Sequence, residues 1–209
     1  MTRHDLTHPV TDGMTVYPGD PPVSVGDAAT MTDDGYRVSR LELGSHAGTH
    51  VDAPAHTEPD GRTLDSYDVD EFALDARLVA VDADAREPIE PDAFPERVDA
   101  DLLVIHTGWD AHWGTEQYEN HPYLTAAAAE RVVALDCHLA VDCFSPDPTG
   151  RKDEREPEGV PAHHALLGSE KLVFENLTGL GALPESFRFR AYPLRVDGDG
   201  APVRAVAEV

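Results

Sequence analysis

The stretch that most constrains this chain is residues 46–56, which read His-Ala-Gly-Thr-His-Val-Asp-Ala-Pro-Ala-His. Three imidazoles and one carboxylate fall within it, a density of metal-type ligands that brings no structural benefit we can name. Gly48 and Pro54 argue against a helix, so we expect a loop that enters a strand. In such a strand His50 and Asp52 project on one side, because side chains alternate with a period of two. The fold therefore has to bring the strand that contains His50 and Asp52 to a polar site.

The residue types in this stretch are those that bind zinc. Zn²⁺ takes imidazole nitrogen and carboxylate oxygen, and a catalytic zinc site combines three protein ligands with an open position for water. His46, His50 and Asp52 can supply three ligands, which leaves His56 as a further ligand or a proton-transfer group. Surface histidines placed by chance are the less favoured alternative. The sequence contains neither G-x-S-x-G nor H-E-x-x-H, so it indicates no serine-hydrolase elbow and no zincin helix.

Apolar runs of strand length recur along the chain and outnumber the helical segments. Strands are predicted after residue 5 and at 36–43, 78–82, 102–106, 139–144, 172–177 and 187–196. We expect 36–43 to be half-buried and 187–196 to be the last strand. A helix is predicted at 124–136 with Thr125 as its N-cap, and a helical turn at 163–168. The mixed order predicts an α/β or α+β fold, and we expect one domain over residues 1–209.

Composition limits the partners and the compartment. Asp and Glu number 40 against 16 Lys and Arg, a formal net charge of −24, so phosphates would be repelled and nucleic acid is excluded as a partner. The spread of this charge suggests adaptation to a salt-rich cytoplasm, with an ordinary acidic surface as the alternative. No signal peptide and no run of about 20 apolar residues is found, so we expect a soluble cytoplasmic protein without a membrane partner.

The cysteines, one polar segment and the remaining histidines are expected to have structural roles. Cys137 and Cys143 are too few for a disulfide scaffold and are expected to be buried as small apolar residues. The segment 145–159 is rich in Pro, Asp, Glu and Gly and is predicted to be exposed and mobile. The scattered histidines are expected to be surface or hydrogen-bonded residues; they are His106, His112, His121 and His138.

The motif in residues 46–56 resembles H-x-G-T-H-x-D-A-P-x-H of the cyclase family of metal-dependent hydrolases, which includes bacterial kynurenine formamidases (arylformamidases) and isatin hydrolases. Other segments agree over nearly the whole chain. They are Asp5-Leu6-Thr7, Tyr17-Pro18-Gly19-Asp20, Thr107-Gly108-Trp109, His163-x-x-Leu166-Leu167, Glu175-Asn176-Leu177 and Gly200-Ala201-Pro202-Val203-Arg204. The resemblance implies a swivelling β/β/α fold and assembly as a homodimer or homotetramer.

The resemblance also implies a site with two divalent metal ions, Zn²⁺ first and Mn²⁺ as the alternative. The implied ligands of the first ion are His46, His50 and Asp52. Asp52 and Glu175 would bridge to a second ion that His163 completes, although the adjacent His164 is an alternative. His56 matches the family's acid–base histidine.

The implied reaction is attack by a metal-bound hydroxide on a small-molecule amide, either an aryl formamide resembling N-formylkynurenine or a cyclic amide. Tyr17 stands where formamidases commonly have tryptophan, so it is the implied aromatic contact with the substrate ring. The segment 150–161 looks longer than the family's link and could alter access to the pocket. The competing hypothesis is a non-catalytic metal-binding or small-ligand-binding protein on the same fold.

Overall fold

The computed structural model describes residues 1–149 and 156–209. Within these ranges the chain forms twelve β-strands, two α-helices and several short 3-10 turns. The strands are β1 (Arg3–Asp5), β2 (Ser24–Ala29), β3 (Val38–Glu42), β4 (His50–Asp52), β5 (Ala73–Ala80), β6 (Pro88–Ile89), β7 (Leu102–His106), β8 (Tyr123–Leu124), β9 (His138–Val141), β10 (Val173–Glu175), β11 (Ser186–Pro193) and β12 (Gly200–Glu208). The helices are α1 (Ala126–Ala134) and α2 (Pro161–Leu167).

Eight of these strands form one sheet that closes into a barrel. The order is β1-β12-β11-β5-β7-β9-β10-β4, and β4 also pairs with β12. This pairing closes seven of the strands into a ring, and β1 pairs with β12 outside it. The pairs β5–β7, β7–β9 and β9–β10 are parallel, whereas the remaining pairs in the ring are antiparallel. Because β12 is nine residues long, it reaches β4 with its first residues and β11 with the rest. The α/β single-domain fold class expected from the sequence is confirmed.

The core has two layers, and β7 contributes to both. Leu102 and Val104 belong to the buried cluster that fills the barrel, to which the other barrel strands also contribute. Leu103 and Ile105 point the other way, into a second cluster between the sheet and the two helices. Successive side chains of a strand face opposite sides of a sheet, so a continuous apolar run is what a strand covered on both faces requires.

The two helices begin with local hydrogen bonds. Thr125 is the N-cap of α1, as predicted, and its Oγ1 accepts a hydrogen bond from the backbone N–H of Ala128 at 3.2 Å. Helix α2 starts at Pro161, two residues before the predicted helical turn. Its first backbone N–H groups are satisfied by the carboxylate of Asp147, which accepts from Ala162 at 2.9 Å and from His163 at 3.0 Å. The side chain of Asp147 thus fixes where α2 begins.

Three expectations about individual segments were wrong. The segment 36–43 does contain strand β3, but β3 pairs only with β2 in a separate two-stranded ribbon and all its residues are exposed. Its alternation of leucine with charged residues predicted a strand correctly, but no element of the described chain covers its apolar side. Leu41 is 58% exposed as a result.

The segment 145–159 is not a uniformly exposed loop. Residues 145–149 are buried. Residues 150–155, which are the first half of the longer link expected at 150–161, lie outside the described ranges. Polar composition misled the prediction because the polar groups are satisfied internally. Asp147 accepts hydrogen bonds from α2, and Thr149 Oγ1 lies 2.7 Å from Nε2 of the buried His121.

The third error concerns the end of the chain. Strand β11 was expected to be the last, yet β12 follows it and closes the barrel. The inward residues of β12 are mostly small, so their alternation carries little hydrophobic signal. They are Ala201, Val203, Ala205 and Ala207.

Cys137 and Cys143 are both buried and unpaired, as expected. None of the helices in the described ranges has the length and apolarity needed to cross a membrane.

Candidate metal centre

The barrel places its polar residues on the outer face of β4 and β10. Val51 points into the barrel core, so its neighbours His50 and Asp52 project from the opposite face. On the antiparallel partner β10, Phe174 points inward and Glu175 outward, and Glu175 is the register partner of His50. The loop before β4 therefore meets the end of β10 at one point on the barrel surface.

Five of the predicted metal ligands lie together at this point. His46 Nδ1 is 2.7 Å from Asp52 Oδ1, and His50 Nε2 is 3.2 Å from the same oxygen and 3.3 Å from Glu175 Oε2. Helix α2 brings in His163, whose Nε2 lies 3.2 Å from Glu175 Oε1 and 3.6 Å from Asp52 Oδ2.

Two ligand sets share Asp52. In each set one ligand atom per residue lies within 4.8 Å of the others. The first set is His46, His50 and Asp52, and the second is Asp52, His163 and Glu175. The family resemblance implied that Asp52 and Glu175 both bridge the two ions. In these sets Asp52 is shared, whereas Glu175 belongs to the second set only.

The chemistry of the unpaired atoms fits divalent cations. Within the described part of the chain, His50 Nε2, Asp52 Oδ2 and Glu175 Oε1 are buried and make no hydrogen bond. A buried polar atom that makes no hydrogen bond costs about 1–3 kcal/mol, so three of them at one point favour a bound cation. Imidazole nitrogen and carboxylate oxygen are the ligand types of Zn²⁺ and related ions.

Each of the three ligand histidines also has its second nitrogen engaged. His50 donates through Nδ1 to the carbonyl of Gly48 at 2.8 Å. His163 Nδ1 lies 2.7 Å from Asp147 Oδ2, and His46 Nε2 lies 2.9 Å from Asp199 Oδ2. A metal-binding histidine commonly gives its other ring N–H to a carbonyl or carboxylate, which fixes the ring and presents the lone pair to the metal.

The electrostatics of the cluster favour positive charge. Burial acts to lower the pKa of His50, but the carboxylates of Asp52 and Glu175 raise that pKa well above its ordinary value. Burial would raise the pKa of Asp52, yet the charge of His50 and the close contacts with His163 and His46 hold it well below its usual range. The two buried carboxylates thus attract either protons or cations to the nitrogens around them.

The structure distinguishes His163 from its neighbour. His163 is 5% exposed and faces Asp52 and Glu175, whereas the His164 side chain is 57% exposed and pairs with Glu58 Oε1 at 2.9 Å. Consecutive residues of a helix point about 100° apart, so only one of them can face the cluster.

His56 lies beside the cluster rather than within it. Its ring centre is 4.1 Å from that of His46 and 5.6 Å from that of His163, and about a third of its side chain is exposed. Its Nδ1 is 3.3 Å from Asp199 Oδ2. This position gives His56 access both to the cluster and to solvent.

A cleft of about 180 Å³ opens over the cluster. Besides the histidines and Glu175, it is lined by Tyr17, Asp20, Phe144, Ser145, Val160 and Asn176. The ring of Tyr17 meets that of Phe144 edge-on, with 6.0 Å between the ring centres. An apolar wall with a few polar groups at one end is the usual form of a small-molecule site.

A family model for cyclases matches residues 4–148, well over half of the chain. The chain belongs to the cyclase family.

Relatives over the full length agree with this membership. The kynurenine formamidase of Salinibacter ruber is 33% identical over 219 residues, covering 99% of this chain and 97% of that protein. An isatin hydrolase bound to the product analogue thioisatinate shares the fold with a TM-score of 0.88 and 22% identity, covering 99% of this chain and 92% of its own. A potential metal-dependent hydrolase with cyclase activity gives a TM-score of 0.78 at 22% identity, covering 99% and 96%.

Three polar residues at this cyclase-family site were missed from the sequence. Asp199 was assigned no role, and Asp147 was interpreted only as part of an exposed loop. Asn176 was noted only for its resemblance to the family; it has a left-handed φ of 57° and donates through Nδ2 to the carbonyl of Gly48. No spacing along the chain relates these residues to the histidines they contact. The Asn–Leu pair after Glu175 was the only available signal.

Proposed function

We propose that this cyclase-family chain is a metal-dependent amidohydrolase that cleaves an aryl formamide or a cyclic amide. The observation that carries the proposal is that the buried Asp52 belongs to two ligand sets, and that the other members of both sets line a cleft with an aromatic wall. The named relatives support amide hydrolysis, since one is a kynurenine formamidase and a structural neighbour is an isatin hydrolase.

The proposed centre holds two divalent cations, Zn²⁺ first and Mn²⁺ as the alternative. His46, His50 and Asp52 would hold one, and Asp52, His163 and Glu175 the other. A bound divalent cation would lower the pKa of a water ligand to about 7 and would polarise the carbonyl of the substrate.

The other residues would move the proton and hold the substrate. His56 would accept a proton from the attacking water and return it to the leaving nitrogen, because it borders the cluster and reaches the open cleft. Its Nδ1 is directed at Asp199, so Nε2 is the nitrogen available for this transfer. Tyr17 and Phe144 would pack against the ring of the substrate.

The test is to assay hydrolysis of N-formylkynurenine and isatin by protein reconstituted with Zn²⁺ or Mn²⁺. We expect the protein to hydrolyse at least one of the two compounds. A chelator should abolish this activity, and added metal should restore it. A variant His56→Ala should lose about 10²–10⁴-fold in kcat and keep its metal, because it removes the proton transfer only. Metal binding without turnover of either amide would contradict the substrate assignment, and a ligand-binding response unchanged in His56→Ala would favour a non-catalytic binding protein.

The remaining expectations from the sequence are part of the same proposal. We propose that residues 1–209 form the single hydrolase domain, that the protein is cytoplasmic, and that it assembles as a homodimer or homotetramer. Light scattering on the purified protein measures the assembly directly.

A further inference from the structure

Asp199 holds two of the proposed functional histidines with one carboxylate oxygen. It lies in the turn between β11 and β12, and its Oδ2 is 2.9 Å from His46 Nε2 and 3.3 Å from His56 Nδ1. The side chain is about 42% exposed, so these contacts, and not burial, define its position. Burial acts to raise the pKa of Asp199, but hydrogen bonds from the two histidines lower it below its usual value.

The backbone around Asp199 is fitted to the same place. The carbonyl of Asp199 accepts a hydrogen bond from the N–H of Ala53 at 2.8 Å, which ties the turn to the residue after β4. A Cβ atom at Gly200 would lie 2.7 Å from Cε1 of His46, closer than real contacts allow. The turn therefore packs against the His46 ring as well as bonding to it.

His46 is bound at both nitrogens. Nδ1 faces Asp52 and the first ligand set, and Nε2 faces Asp199. Asp199 thus contacts the second ring nitrogen of His46. Asp147 contacts that of His163 in the same way, and the carbonyl of Gly48 contacts that of His50. Such a partner fixes the tautomer and the ring orientation of a metal-binding histidine, and its loss typically costs 10–100-fold in metal affinity.

The contact with His56 has a different consequence. A carboxylate that accepts from Nδ1 holds the imidazole so that Nε2 exchanges the proton, as in other carboxylate–histidine pairs. Within the described ranges, Asp199 is the only hydrogen-bond partner found for the His56 ring. Without this contact the His56 ring would be free to rotate at the edge of the cleft.

We propose that Asp199 is a positioning residue that orients the metal ligand His46 and the proton-transfer group His56 through one shared carboxylate oxygen. The proposal rests on the proposed function, because it assumes that His46 binds metal and that His56 moves a proton. It adds a coupling between the two roles: a change at Asp199 alters metal binding and turnover together.

The first experiment compares Asp199→Asn with Asp197→Asn in the full-length protein. Asp197 is exposed in the same turn and makes none of the described contacts to the site, so its variant controls for the loss of one charge. Zn²⁺ affinity is measured by competition with a chromophoric chelator. The values of kcat and KM are measured with the amide that the wild type hydrolyses. Asp199→Asn should lower Zn²⁺ affinity about 10–100-fold and Asp197→Asn should stay within about twofold of wild type.

The second experiment tests whether Asp199 acts through His56. In the wild-type background Asp199→Asn should lower kcat by about tenfold or more with KM nearly unchanged, measured at saturating metal. In a His56→Ala background the same substitution should cost less than about threefold in kcat, because the group it orients is gone. Asp199→Glu, which keeps the carboxylate, should recover part of the loss.

Wild-type Zn²⁺ affinity together with wild-type kcat in Asp199→Asn would overturn the proposal and leave the proposed function intact. Equal losses of kcat in both backgrounds would overturn the action through His56. If the wild type hydrolyses no amide, the proposed function fails instead, and the Zn²⁺ titration alone decides whether Asp199 supports His46.

Discussion

At the scale of single residues, the neighbours His163 and His164 are placed in opposite environments. His163 is buried against Asp52 and Glu175, and His164 pairs with Glu58 at the surface. We predict that His163→Ala lowers bound Zn²⁺ from two equivalents to one, while His164→Ala keeps the wild-type content. Elemental analysis after dialysis measures both. Equal retention in the two variants would contradict the assignment of His163 to the second ion.

A second residue, His138, gives a prediction about acid stability. It lies at the start of β9, where its Nδ1 accepts a hydrogen bond from the N–H of Leu172 at 2.9 Å, and burial lowers its pKa to about 4. An unfolded chain takes up the proton first, near pH 6.5. The stability contributed by neutral His138 is therefore complete above about pH 6.5 and is lost as the pH falls toward 4.

The variant His138→Gln keeps an acceptor but does not titrate. Relative to this variant, the wild-type protein should lose about 1–2 kcal/mol of unfolding free energy between pH 7.5 and pH 5. The reason is that a pKa difference of one unit between the folded and unfolded states corresponds to about 1.36 kcal/mol. Urea unfolding at the two pH values measures the difference. A difference independent of pH would show that the pKa of His138 is the same in the folded and the unfolded protein.

At the scale of elements, the first residue of β12 determines how closely that strand approaches the histidine loop. Gly200→Ala should displace His46, because the added Cβ would lie 2.7 Å from its ring and 3.0 Å from the carbonyl of Val51. We expect a loss of about 1–3 kcal/mol in unfolding free energy and weaker Zn²⁺ binding.

Gly198→Ala is the matched control. An added Cβ there meets only ordinary contacts, the nearest being Val196 Cγ2 at 3.6 Å. Chemical denaturation and Zn²⁺ titration of the two variants separate a local packing effect from a general effect of alanine in this turn. Similar behaviour of both variants would mean that the barrel adjusts and that His46 is not held by β12.

At the scale of the whole molecule, the net charge of −24 dominates. Like charges repel across the folded surface, and salt screens them with a Debye length of about 3 Å at 1 M. We predict that the midpoint of thermal unfolding rises as KCl increases from about 0.1 to 3 M, the range over which screening becomes complete. Sucrose of equal osmolality is the control, and a midpoint that responds to both alike would argue against a charge effect.

Much of the fold followed from local pattern. The helix after Thr125 and the inner strand β7 were predicted because capping and apolar runs are short-range signals. The exposure of β3 and the presence of β12 were not predicted, because each depends on whether another element covers the strand or pairs with it. Burial of Asp147 was missed for the same reason: its partner α2 begins 14 residues later.

The sequence by itself determined the type of site. Residues 46–56 contain the residue types that bind divalent metals and a loop that enters a strand, and this information is contained in eleven consecutive residues. Tertiary structure decided how the ligands are divided and held. Asp52 belongs to both sets only because β4 pairs with β10 and α2 brings His163 close to it. Asp199 reaches His46 across 153 positions of sequence only because β12 closes the barrel. Contacts of that range leave no pattern in the local sequence, since they arise from the closure of the sheet.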